Sequence, residues 1–479
     1  MLLYGAAVGA IAVWASRRTR TVKDFFVAGE GIGLWTLGLA AMSATLSGFA
    51  FIGGPGLVYA LGLGAVFIIL PASLTNTMGA WVLAKRMRLL GESRGLMTVP
   101  DAIGARYRSR TAQGLAGIAI LIAIVGYMAT NVLALGLVVD AVFGTGRTTG
   151  IWIGLGVVVA YSAAGGMLAG VYTDLFQGAV MALASSLVFG YALRAGGGLG
   201  GMSRTILAAD PGFLEPWGKV PPLAALSFFF VFGLGALGQP HVIHKFYMLR
   251  DPLRLKWYPA IMTGAMTLTL LLYFGVGIAM KARVAGGALA PLVRPDDATP
   301  QFLLSSTPML LAGLVFAGVA AAIMSTVNSF INVAAAVVTH DLPIALGREL
   351  RDELRWGRVS TVIISVLSAL VAQLSGTLVA FLGIFGWGLF ASTLVPALAV
   401  GLNWPGATRA GAIASITTGL VTTLGFETAA YFKLLTIPAG VTVSGLSLLL
   451  SLLVFLVVSL LTRTQADDID PDIRLVMET

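Results

Sequence analysis

Cysteine is absent from this chain of 479 residues. Disulfides and thiolate metal sites are therefore excluded. Charge is scarce: Asp, Glu, Lys and Arg make up 11% of the residues, where a soluble domain carries about 25%. Histidine occurs three times. Enzyme chemistry that needs paired carboxylates, a histidine cluster or a nucleophile with its base has little material to work with. Repeated filter loops and rings of charge, the marks of a channel, are missing as well.

What the chain has in abundance is apolar length. Hydrophobic residues reach 57% and the mean hydropathy is +0.92. Stretches near twenty apolar residues recur, which is the signature of membrane helices. The 60 glycines suit close helix packing in a bilayer. The reading is an all-α integral membrane protein with about 13 spans, at 2–16, 34–62, 64–84, 114–142, 150–164, 173–194, 221–240, 257–281, 308–336, 359–375, 377–401, 408–430 and 438–462.

Lys and Arg are distributed asymmetrically. With the N-terminus outside, the cytoplasmic segments hold 22 of the 30 basic residues, including Arg17, Lys85 through Arg110, Lys245 through Lys256 and Arg348 through Arg358. The expectation is a multi-pass protein of the cell membrane with N-terminus out and C-terminus in. The net charge of +9 is thus topology and not a nucleic-acid surface. The first span reads as a true span, because its basic residues follow the apolar stretch where a signal peptide would have them first. The stretch 85–110 is expected at anionic headgroups, the glycine-rich 195–220 as a flexible external loop, and 463–479 as a short polar tail. No protein partner is implied.

Two spans are interrupted. The second carries Gly48, Gly53, Gly54, Pro55 and Gly56; the seventh carries Gly233, Gly235, Gly238 and Pro240. Proline removes a backbone donor and glycine loosens the chain, so both helices are expected to break. Freed backbone groups are tolerated only against protein or a water-filled cavity. Matched interruptions in two halves point to a midplane transporter site. They divide the chain into a first span with its link (1–33), one repeat (34–194), an external loop (195–220), a second repeat of opposite orientation (221–401), two further spans (402–462) and the tail (463–479).

The ninth span contains AAAIMSTVNS, Ala320 to Ser329. Ala322, Ser325, Thr326 and Ser329 fall at i, i+3, i+4 and i+7, which is one stripe of a helix. Hydroxyls at that depth can ligate a small hard cation; the alternative is that they bond back to their own i−4 carbonyls. His241 and His244 beside Lys245 read as solvated interface residues, with no metal other than sodium expected.

Four local patterns resemble the sodium/solute symporter family: DFFVAGEGIG ahead of span 2, GGMLAGVYTDLFQ from Gly165 to Gln177, GQPHVIHKF from Gly238 to Phe246, and AAIMSTVNS itself. The resemblance implies a LeuT-type 5+5 inverted-repeat core and a sodium-coupled symporter importing a small organic solute, an amino acid such as proline or a monocarboxylate. Proton coupling, or a sugar, vitamin or sialic acid as solute, is the alternative within the same fold.

Residue by residue, the resemblance implies a sodium site of Ser43 and Leu46 (backbone), Ala322 (backbone), Ser325 and Thr326. A second sodium would use Ser47, Asp174, Asn328 and Ser329, but Ala50 stands where members with that site have a hydroxyl. The solute site falls on Ser47, Gly48, Tyr127, Phe232, Ala236 and Gln239. Phe232 and Ala236 replace the tryptophan and tyrosine of proline-type members, and Gln239 can equally satisfy freed backbone.

Overall fold

The computed structural model describes all residues except 1, 19–26, 29–30, 349, 376–378, 439 and 464–468. It is all-helical. The helices are α1 (Leu2–Ser16), α2 (Leu34–Thr45), α3 (Gly54–Leu61), α4 (Val66–Gly79), α5 (Lys85–Arg94), α6 (Val99–Tyr107), α7 (Arg110–Phe143), α8 (Arg147–Ala195), α9 (Gly198–Ala209) and α10 (Pro222–Gly235). There follow α11 (Pro240–Ile243), α12 (Tyr258–Ala285), α13 (Ala298–Ser306), α14 (Met309–Ala336), α15 (Leu342–Ala345), α16 (Glu353–Leu374), α17 (Val379–Leu394), α18 (Arg409–Tyr431), α19 (Val443–Leu461) and α20 (Pro471–Met477). Among the described residues, nine helical stretches are long and apolar enough to cross a membrane, and two shorter apolar ones lie at Leu34–Thr45 and Arg147–Ala160.

Both predicted interruptions are present. The second span breaks between α2 and α3: Leu46 leaves helical geometry at φ −83°, ψ 88°, and a wide π turn spans Phe49–Gly53. The seventh breaks between α10 and α11 through a 3-10 turn at Ala236–Gly238. Pro55 and Pro240 each sit in the first turn of the helix that resumes, where the missing N–H costs nothing.

No break in the helix separates the expected fifth and sixth spans near 164–173. α8 runs 49 residues without a break in its helical backbone, and no proline between Arg147 and Ala195 forces one. At 1.5 Å per residue a straight helix of that length would reach about 73 Å, over twice the hydrocarbon core and long enough for two spans. Its two parts pack differently. A Cβ on Gly150 or Gly154 would strike α7 at Gly136 or Leu135, whereas one on Gly170 or Gly178 would strike Asn328 of α14 or Leu39 of α2. The side chains of 161–169 lie outside the described residues.

The polar connections gather at two opposite ends. At one, α9 folds over the bundle: Lys219 and Lys281 both pair with Asp210 at 2.8 Å, and the Lys219 N–H donates to the Leu61 carbonyl. The 195–220 segment is thus largely helical and tied down, because its glycines sit around α9 and leave Met202 and Ile206 buried. At the other end Arg88 and Arg106 do not reach for headgroups. They are buried and donate to backbone carbonyls, Arg88 to Leu249 and Arg106 to Gly401 and Trp404. The tail is also structured: α20 docks on α5 through Arg94, which pairs with Asp470 and Asp472. Half of the DFFVAGEGIG motif lies outside the described residues, but its Ile32 forms a bridge with Leu249.

Candidate cation and solute site

The break in the second span is built by an exchange of partners. In a continuous helix the Gly48 N–H would donate to the Ala44 carbonyl. Here the Gly48 N–H donates to Asn131 Oδ1 of α7 at 2.8 Å. The released Ala44 carbonyl accepts from the Thr326 hydroxyl of α14 at 3.1 Å. Thr326 shares that proton with its own i−4 carbonyl, Ala322, also at 3.1 Å. The back-bonding reading of the stripe therefore holds at Thr326, whose hydroxyl also reaches across to α2.

Ser325, next to it, is fully buried with no hydrogen-bond partner for Oγ. An orphaned buried hydroxyl is costly, and an oxygen ligand with no other duty fits a cation such as sodium. Ser43 spends its hydroxyl on Met181 Sδ at 3.6 Å, which leaves its backbone carbonyl as the group it can offer. Leu46 supplies the non-helical turn itself. Carbonyls and hydroxyls with no formal charge are what the break brings together here, and the Ala44 carbonyl is one the sequence reading did not name. Its signal was present: it is the acceptor that breaking at Gly48 must release.

On the other side of the break lies a small cavity lined by Thr45, Leu46, Phe49, Ile68, Tyr127, Phe232, Met266, Leu270, Tyr273 and Trp387, with a volume of about 30 Å³. That is room for about two waters, so an organic solute needs the helices to part. Aromatic rings stack through it, Phe49 on Phe232 with centroids 5.9 Å apart and Phe232 on Trp387 at 5.2 Å. Of the six expected solute residues, Tyr127 and Phe232 line this cavity; Ser47, Gly48, Ala236 and Gln239 do not.

Each of those four has another task. Ser47 Oγ accepts from the Phe49 N–H and lies beside the Tyr127 hydroxyl. Gly48 is glycine because a Cβ would come within 2.5 Å of the Ala134 Cβ. Ala236 is buried in the 3-10 turn of the seventh span. The Gln239 amide donates to the Gly235 carbonyl at 2.9 Å, so it satisfies backbone freed by the break. Sequence reasoning missed Phe49, Trp387, Met266 and Tyr273 because apolar residues in apolar spans carry no local mark.

Below these residues the structure corrects the reading of two histidines. His241 and His244 are not at a wet interface. Both are buried, and Asp174 and Lys245 with them. Asp174 Oδ2 accepts from Lys245 Nζ at 2.7 Å, with neither side chain exposed at all. His241 joins the aromatic cluster, its ring 4.4 Å from Phe330. The reason is tertiary: the turn after α11 folds beneath α2, α8 and α14 and carries these residues inward. Of the remaining second-site residues, Asn328 and Ser329 are buried on α14, whereas Ser47 is engaged with Phe49.

The third histidine belongs to a separate network at the basic end. His340 Nε2 bonds Asp101 at 3.0 Å, Thr98 donates to Asp341 at 2.7 Å, and Gln113 donates to both carboxylates. These groups lock α6, α7 and the π turn after α14 together.

A broken helix that hands carbonyls to hydroxyls of a partner helix, next to a closed aromatic cavity, is the geometry of an ion-coupled transporter. The model of the sodium:solute symporter family matches residues 25–419. The chain belongs to that family. It is accordingly a membrane transporter and not an enzyme, with a sodium ion and a small organic solute as its cargo.

Among its relatives are the osmoregulated proline transporter of Bacillus subtilis, 28% identical with 97% of this chain and 94% of that protein covered, and the sodium/pantothenate symporter of Escherichia coli, 28% identical with 95% of each covered. The fold is similar to that of a Na+-coupled sialic acid symporter, with TM-score 0.78, 17% identity and 96% of each chain covered. A nucleobase-cation-symport-1 family transporter shares it more distantly, with TM-score 0.54, 14% identity and 95% of this chain and 98% of that one covered. These symporters share an all-α, multi-spanning architecture with inverted-repeat-like helix packing.

Proposed function

We propose that this symporter couples sodium to the uptake of a compact zwitterion or monocarboxylate, an amino acid such as proline among the candidates, by alternating access in a thirteen-span LeuT-type fold. The repeats run over 34–194 and 221–401, and the end carrying Arg88, Arg106 and α20 faces the cytoplasm. The observation that carries the reading is the bond from Thr326 to the Ala44 carbonyl across the break, beside the unpartnered Ser325 hydroxyl. Sodium held by Ser325, Thr326, the Ala322 carbonyl and carbonyls of Ser43 and Leu46 would pin α2 to α14. Solute and ion affinities must then rise together.

The cavity supports a small solute with an apolar body. Its lining includes three hydroxyl-bearing side chains, Thr45, Tyr127 and Tyr273, and no charge. A carboxylate in such a place is served by the helix ends at the break. Proline transporters and a pantothenate symporter among the relatives point to the same class.

The test is uptake of radiolabelled proline, alanine, pantothenate and lactate, with glucose and galactose as contrasting solutes, into proteoliposomes with an inward sodium gradient, a potassium gradient or a proton gradient. Sodium-driven accumulation of one of the first four is expected. Accumulation driven by protons alone would overturn the coupling, and sodium-driven uptake confined to sugars would overturn the solute class.

A further inference from the structure

The buried charge pair sits where a second cation would otherwise be wanted. Asp174 Oδ2 is taken by Lys245 at 2.7 Å. Its other oxygen, Oδ1, has no hydrogen-bond partner and lies beside the Ser325 hydroxyl, which has none either. One turn further along α14, Ser329 Oγ is a third buried oxygen without a partner. A buried carboxylate with an idle hydroxyl beside it, and another one turn along the same helix, is a donor set that sodium would find. A carboxylate left unpaired in such surroundings would be very costly, so some cation has to be there.

That cation is already covalently part of the chain. The Lys245 ammonium is a compact point charge on a flexible stem, and it balances the single charge of Asp174. A sodium ion joining them would set two cations on one carboxylate inside a low-dielectric core, where like-charge repulsion is little screened. Resting on the sodium reading above, we infer that Lys245 is a tethered substitute for a second coupling ion, so that this transporter carries one sodium per solute.

The pair also leaves the neighbouring cage formally neutral, because Ser325 borders both places. The sodium cage therefore sees no net charge from Asp174 while Lys245 is in position. Removing the ammonium should open the second place to sodium, and removing both charges should close it again.

The test is equilibrium binding of radioactive sodium to the purified full-length protein in nanodiscs, counted per transporter, with the sodium dependence of uptake measured alongside. The wild type should bind one ion and show a Hill coefficient of about 1. Lys245→Met should bind two, with the coefficient rising toward about 2, and the Lys245→Met, Asp174→Asn double variant should return to one. Lys245→Arg, which keeps the charge, should stay at one. Two ions on the wild type would overturn the inference and leave sodium coupling intact, as would one ion on a folded Lys245→Met protein. No ion on the wild type would overturn sodium coupling itself, and the inference with it. If Lys245→Met fails to fold, the wild-type count decides.

Discussion

The Thr326 hydroxyl of α14 donates to the Ala44 carbonyl of α2 at 3.1 Å, across a sequence separation of 282 residues. This bond exists because Asn131 has taken the N–H that would have occupied that carbonyl. Three helices are thereby tied at one point. On the proposed sodium reading, a cation held beside this bond would tie the same two helices together.

Thr326→Ala removes the hydroxyl and leaves the Ala44 carbonyl without it. The sodium concentration for half-maximal uptake should rise at least about tenfold, equivalent to roughly 1.4 kcal/mol, while solute affinity at saturating sodium changes little. Thr326→Ser should keep near-normal sodium dependence. Initial-rate uptake across a sodium series reads both. An unchanged sodium requirement in the alanine variant would remove Thr326 from the site.

Asn131 maintains the break from the other side, accepting from Gly48 at 2.8 Å and donating to the Tyr127 carbonyl at 3.1 Å. Asn131→Leu orphans a buried N–H, at a cost of about 1–3 kcal/mol. A lower melting temperature and weaker solute binding are expected together, because Tyr127 lines the cavity. Thermal unfolding with and without solute distinguishes this from a purely structural loss, in which solute would stabilise the variant as much as the wild type.

Asp296, in the connection between α12 and α13, accepts the Val379 N–H at the start of α17 at 2.9 Å. Burial pushes its carboxyl up to about 6. The folded protein therefore holds a proton that the unfolded chain, with an ordinary carboxyl, has already released. The associated stability is present at low pH and is lost as pH rises through about 6. Asp296→Asn keeps an acceptor for Val379 without a titration, so the melting temperature of the variant should lack the decline that the wild type shows between about pH 4 and 6. Parallel declines in the two proteins would show that another group is responsible.

Arg94 holds the tail, with Asp472 and Asp470 on its guanidinium. The same contact keeps the Asp472 carboxyl below the ordinary carboxylate range. Ile473, Val476 and Met477 are buried beneath it, so the pair guides an apolar dock rather than supplying most of its stability, partly exposed pairs being worth about 1 kcal/mol or less. Arg94→Ala should release α20 to carboxypeptidase several-fold faster at low salt, with uptake in the absence of protease retained. High salt should narrow the difference. Equal digestion rates at low salt would show that the Arg94 pairs do not hold the tail.

The sequence by itself determined the class of protein and the places where its helices must fail. Runs of apolar residues can only be membrane helices, and Gly48 through Gly56 and Gly233 through Pro240 cannot continue a regular helix. Helical spacing also placed Ser325 and Thr326 on one face, since that is a local property of 3.6 residues per turn. Long-range geometry was beyond it. That Ala44 is the carbonyl Thr326 reaches, that Gly48 and Gln239 serve the backbone, and that Trp387 and Tyr273 close the cavity depend on which helices meet. The clearest case is Lys245. As sequence it is one more basic residue at a membrane boundary, and only the fold carries it under α14, where a buried ammonium is stable because Asp174 of α8 is there to meet it.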